Sequence, residues 1–240
     1  MSLAQRLADD LPRSLGPREV TPFGVEWPGA VVATAVPDPD RAQRWQTRRV
    51  LAASSAVAEQ LAALGVTTVG DTPAPLLPRP DRSLRAGGGA TVRCDDVEAA
   101  TAIGAVLLCW ALDAPGTRLV VGGDQPARGV NLAASLGIPT ARSGPVAAVI
   151  SAGSDPCPPP VVIDALAAGI PVVGGGRGAL AEVVGDAALL ADGPEALGAA
   201  LAALLADPGL ARELADAGRR RVRQLDPPAR LAQAAACLAG

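Results

Sequence analysis

The chain has 240 residues, 49% of them hydrophobic, and a net charge of −3, enough apolar side chain for one large or two small cored domains. All 21 basic residues are arginines, spread along the chain apart from short runs at 48–49 and 219–221, and aromatics make up only 2%; this is not the basic stripe with stacking rings of a nucleic-acid binder. The absence of His, Lys and Tyr excludes a Ser-His-Asp triad, a Schiff-base or Walker A lysine and a His-ligated metal, so acid–base chemistry falls to Asp, Glu or Cys.

In chain order, MSLAQRLADDL is amphipathic and contains acids, unlike a signal peptide. Residues 29–36 read as a strand, 48–53 as a second, and 54–64 as a helix with Val57, Leu61 and Leu64 at helical spacing and Gly65 as its stop. Short apolar pieces follow at 67–69 and 75–77. The stretch 79–89, with Pro80 and three consecutive glycines, reads as a hinge.

Beyond it the pattern restarts. Strands are expected at 90–93, 118–122, 147–151, 170–173 and 187–190. Helices are expected at 97–112, 127–136 and 161–168, the last two ended by Gly137 and Gly169. Pro194 marks a first helical turn, with Leu197, Leu201, Leu204 and Leu205 as the apolar stripe. Asp207-Pro208 opens another helix with Leu210 and Leu214 inward, and 229–238 forms the last. The longest uncharged run, 99–112, is short of the ~20 residues that cross a bilayer, so no transmembrane segment is expected. Cys94, Cys109, Cys157 and Cys237 show no C-x-x-C spacing and read as free, mostly buried thiols in a reducing compartment. A soluble cytoplasmic protein follows.

Strand–helix alternation with continuous apolar strands defines an α/β protein built on doubly wound parallel sheets, which bind ligands at the carboxyl ends of their strands. The expected division is an N-terminal lobe at 1–82, a second domain at 90–225 and a C-terminal helix at 226–240.

The most specific segment is 158–223. Asp164-Ala165, Ala168-Gly169, Pro171-Val172-Val173, Gly178, Glu182-Val183-Val184 and Asp192 stand in the order and spacing of the retaining family-4 glycosyltransferases of the GT-B fold, which the segment resembles. Weaker matches are LVVGGDQP (119–126) and LAASSAVAEQLAALGV (51–66). The resemblance implies a Rossmann-like C-terminal domain and a nucleotide sugar as ligand; the N-terminal lobe is shorter than the family's, and no cofactor or metal is expected.

In that family two glutamates flank the donor. The position of the second, which binds the nucleotide ribose, is Asp164; the alternative for Asp164 is a first-turn helix acid interacting with the dipole. The first falls at Pro156, with Asp155 one place off as the candidate catalytic carboxylate. Between them the family cradles the donor phosphates on backbone N–H groups, but 156–160 holds four prolines in five positions, and proline has no N–H. Arg93 matches an arginine that neutralises the diphosphate, or is a surface residue; the family's accompanying lysine is missing, and Asp95 and Asp96 stand nearby. Gly87 to Gly89 read as linker, whereas Gly174, Gly175 and Gly176 follow a strand directly and could offer amides to a ligand. Glu182 matches a family glutamate and is also a natural helix N-terminal acid. Trp27, Trp45 and Trp110 read as core or domain-contact residues rather than sugar platforms, with Trp45, in an Arg-rich exposed-looking stretch, as the best candidate for a contact surface.

Three functions fit. The first is a glycosyltransferase-like protein with a degraded donor site, a non-catalytic or accessory partner of a biosynthetic enzyme, bound to a protein partner or to a second copy. The second is an active retaining transferase moving a sugar from a nucleotide sugar to a hydroxyl. The third is another small-molecule binder on the same scaffold.

Overall fold

The structure, a computed structural model, describes residues 3–71, 78–79, 84–87, 91–94, 99–112, 116–122, 126–141, 144–151, 160–176 and 178–239. The chain forms two compact units. The first comprises Met1–Leu77, Asp155–Pro160 and Leu225–Gly240; the second comprises Pro78–Ser154 and Val161–Gln224.

The first unit opens with α1 (Leu3–Asp10), followed by β1 (Glu19–Thr21), β2 (Gly24–Glu26), β3 (Ala30–Ala33), α2 (Pro39–Trp45), β4 (Arg49–Ala52), α3 (Ser55–Ala63) and β5 (Thr68–Asp71). The sheet runs in the order β1-β2-β3-β4-β5, with β3, β4 and β5 parallel and β1 and β2 added as antiparallel edge strands. Local chemistry sets the helix starts. Ser54 Oγ accepts the Val57 N–H at 3.1 Å to cap α3, and Asp38 Oδ1 accepts the Arg41 N–H at 2.8 Å to cap α2, which has Pro39 at its first position. The last helix of the chain, α10 (Pro227–Ala239), places Ala234 and Leu238 in the same core as Leu7, Leu11, Val31, Val50 and Leu61.

Trp45 lies in that core as well, with 0% of its surface exposed. This favours its core reading and corrects the contact-surface one. Helix α2 has seven residues and buries Ala42 and Trp45, an i,i+3 pair too short to register as a period in the sequence. The arginines around Trp45 are held on the surface side: Arg48 Nη1 lies 2.7 Å from Glu26 Oε2, Arg41 Nε lies 3.4 Å from Glu26 Oε1, and the Arg41 guanidinium sits 5.2 Å above the Phe23 ring.

The second unit contains β6 (Arg85–Ala86), β7 (Thr91–Cys94), α4 (Ala99–Ala111), β8 (Arg118–Val121), α5 (Pro126–Ser135), β9 (Pro145–Val146), β10 (Ala148–Ser151), α6 (Pro160–Ala168), β11 (Val172–Gly174), α7 (Ala179–Val184), β12 (Ala188–Leu190), α8 (Gly193–Ala206) and α9 (Pro208–Leu225). Its main sheet is parallel throughout, in the order β12-β11-β10-β7-β8. Val92, Val149, Ile150, Val172 and Val173 are fully buried, as strands covered on both faces require. The expected hinge carries β6, which pairs with β9 in a separate two-stranded ribbon.

Close approach of helices needs glycine at one position above all. A Cβ on Gly198 of α8 would lie 2.8 Å from both the Ala105 carbonyl oxygen and Leu108 Cβ of α4. Gly137, Gly169 and Gly185 have φ of 75°, 68° and 56°, the left-handed turns that end α5, α6 and α7.

Candidate functional site

The strand order of the second unit fixes where a ligand belongs. Counted from β7, its five main strands run 5-4-3-1-2, so the chain reverses direction of winding between β7 and β10. Ligands of doubly wound sheets sit outside the carboxyl ends of the strands at this switch point. Here those ends are Cys94 and Ser151, with Gly174 beside Ser151 in the sheet. Asp155, Asp95, Asp96, Cys157 and the prolines at 156, 158 and 159 lie outside the described residues.

Asp164 is in the second turn of α6, because the helix begins at Pro160. The first-turn dipole reading is thereby corrected. The residue is 8% exposed, and its Oδ1 accepts the backbone N–H of Arg79 at 2.7 Å. A short bond to a carboxylate is a charge-assisted one. Arg79 was not legible as a site residue: a backbone amide between Pro78 and Pro80 leaves no side-chain signal in a sequence.

The glycine run after β11 is used by the fold. Gly175 N–H donates to the Ser151 carbonyl at 3.0 Å, and Gly176 N–H donates to Asp192 Oδ1 at 3.1 Å. Asp192 is the residue before α8, yet its carboxylate makes no cap to that helix and serves the glycine turn instead. A Cβ at Gly174 would collide with Leu180 Cδ2 and approach the Ser151 carbonyl oxygen to 3.0 Å, so this glycine lets α7 pack onto the strand.

Glu182 lies half-buried in the first turn of α7. Its backbone carbonyl and that of Val183 accept two bonds from Arg221 of α9, at 2.6 and 2.8 Å. Arg93 is paired in register with Val149 on one side and Val120 on the other, half-buried, on the face of β7 opposite the buried Val92 and Cys94. Trp110 is half-buried and its Nε1–H donates to the Thr117 carbonyl at 3.3 Å; Trp27 is 4% exposed and in the first unit's core.

None of the described cysteines, Cys94, Cys109 and Cys237, is in a disulfide. Burial pushes the Cys109 thiol above its ordinary range, partly offset by a hydrogen bond with Thr117. Among the described residues no group of three or more His, Cys, Asp or Glu side chains could hold a metal, and no helix is long and apolar enough to cross a membrane.

This α/β fold, two units of which the second is a doubly wound parallel sheet with its switch point at β7 and β10, is that of the GT-B glycosyltransferases. Residues 151–236 match the protein family described as Glycosyl transferase-like. No curated protein matches the chain. Among solved structures, a sucrose-phosphate synthase from Thermosynechococcus elongatus is 19% identical with a TM-score of 0.57, over 80% of this chain and 59% of that one. The Anabaena protein HepE, solved in complex with UDP and glucose, is 12% identical with a TM-score of 0.62, over 85% of this chain and 70% of the other. A glycosyltransferase from Rickettsia africae is 15% identical with a TM-score of 0.56, over 85% and 68%. The chain thus spans about three fifths of the length of the synthase.

Proposed function

We propose that the chain is a glycosyltransferase-like protein that does not transfer sugar by itself and serves as an accessory partner of a biosynthetic enzyme in the reducing cytoplasm. Its ligand is a nucleotide or nucleotide sugar, recognised at Asp164, with Arg93 toward the phosphates. The observation that carries this reading is the use of the donor-site groups by the fold: Asp164 holds the Arg79 amide, and two amides of the glycine turn are bonded to Ser151 and Asp192. The chain also offers no Lys for a diphosphate and no His, and its proline run stands where phosphate-binding amides are needed. Asp155, Gly174, Gly175 and Glu182 complete the residues through which a remnant of donor recognition would act. Removing one preorganised stabilising donor from an active site costs about 3 kcal/mol of transition-state stabilisation, so joint loss leaves binding without turnover.

The test has two arms. Calorimetry of the purified protein with UDP, GDP and ADP is expected to give weak binding that Asp164→Ala reduces about tenfold. Incubation with UDP-sugars and simple hydroxyl acceptors is expected to release no UDP. Release at ordinary enzymatic rates, without an added partner, defeats the reading.

A further inference from the structure

A carboxylate that recognises ribose accepts hydrogen bonds from its hydroxyls. In this structure Oδ1 of Asp164 already has a donor. The residue is 8% exposed, and the segment that opens the second unit has laid its own N–H against Oδ1 at 2.7 Å. The donor is the main-chain amide of Arg79, which stands between Pro78 and Pro80 in the sequence. An N–H donating to a carboxylate oxygen makes the same kind of charge-assisted hydrogen bond as a ribose hydroxyl would.

We propose that the Arg79 amide is an internal competitor for the Asp164 carboxylate, a clasp that must release before a nucleotide ribose can bind. The proposal rests on the reading of Asp164 as the ribose-binding residue. Its consequence is that the apparent affinity for a nucleoside diphosphate is the intrinsic one multiplied by the fraction of molecules with the clasp open. A hydrogen bond to a charged group keeps that fraction near one tenth or below.

The experiment separates the amide from the side chain. Arg79→Ala keeps the N–H; Arg79→Pro removes it, in a position already between prolines. Calorimetric titration with UDP, GDP and ADP is expected to show at least one of them binding Arg79→Pro roughly tenfold more tightly than Arg79→Ala, and the gain is expected to vanish in the Asp164→Ala background. If wild-type binding is lost in Asp164→Ala while Arg79→Pro and Arg79→Ala bind alike, the clasp is wrong and the ribose reading stands. If binding ignores Asp164→Ala, or no variant binds any of the three, the ribose reading falls and takes the clasp with it. Should Arg79→Pro fail to fold, amide exchange at Arg79 in the wild-type protein decides: saturating nucleotide must speed it, and unchanged or slower exchange overturns the proposal.

Discussion

Arg221 closes the carboxyl end of the helix that carries Glu182. From α9 its Nη2 donates to the Glu182 carbonyl at 2.6 Å and its Nε to the Val183 carbonyl at 2.8 Å, where α7 leaves its last carbonyls without helical partners. Gly185, with φ of 56°, ends the helix beneath the same guanidinium. A cation at a helix C-terminus also meets the negative end of the dipole. Replacing Arg221 with Met keeps the stem and deletes both bonds. Urea denaturation of Arg221→Met is expected to show a loss of about 2 kcal/mol, and a loss under 0.5 kcal/mol contradicts the clamp.

The crossing of α4 and α8 makes an opposite prediction to helix propensity. On an open helix Gly→Ala stabilises by about 1 kcal/mol. At Gly198 the added methyl would lie 2.8 Å from a backbone oxygen and from Leu108 Cβ, neither of which is a flexible chain end. Gly198→Ala is expected to destabilise by about 1–3 kcal/mol. Gly104→Ala, whose Cβ would stand 3.2 Å from Pro194, should lose less. Thermal melts of the two variants side by side check the order.

Gly24 in β2 has φ of 154°, and a Cβ there would run into the Val32 carbonyl across the antiparallel pair with β3. Gly24→Ala combines backbone strain with a steric clash, and a loss of about 2–4 kcal/mol is expected. Amide exchange should localise the damage to the strands β1 to β3, leaving the protection of β7 and β10 unchanged.

Cys109 supplies a pH dependence. Burial raises its pKa in the folded state, so above the ordinary thiol value of 9.0 the unfolded chain loses a proton that the folded chain keeps. Fewer protons are then bound in the unfolded state, and stability falls as pH rises through that window. The decline from pH 9 upward is expected to be shallower in Cys109→Ala. In the folded protein at pH 8, alkylation should reach the partly exposed Cys237 well before Cys109.

Much of the second unit was legible because its signals are local. The apolar runs that became β7, β8, β10, β11 and β12, the glycines that end α5 and α6, and the proline at the start of α8 act within a few residues of themselves. The first unit was read less completely. Strands β1 and β2 are three residues each and α2 is seven, too short for a hydrophobic period to emerge.

The sequence by itself determined the α/β class, the order of the main strands and helices and the set of chemical groups the chain lacks, because these follow from composition and short-range periodicity. Tertiary structure decided how the remaining polar groups are used. Asp164 is bonded to an amide eighty-five residues away, Arg221 to carbonyls thirty-eight and thirty-nine residues away, and Gly176 to Asp192 sixteen residues on. No local pattern encodes such partners. They arise because polar groups that folding draws from water pair with whatever the fold brings within about 3 Å, and only the packed chain specifies what that is.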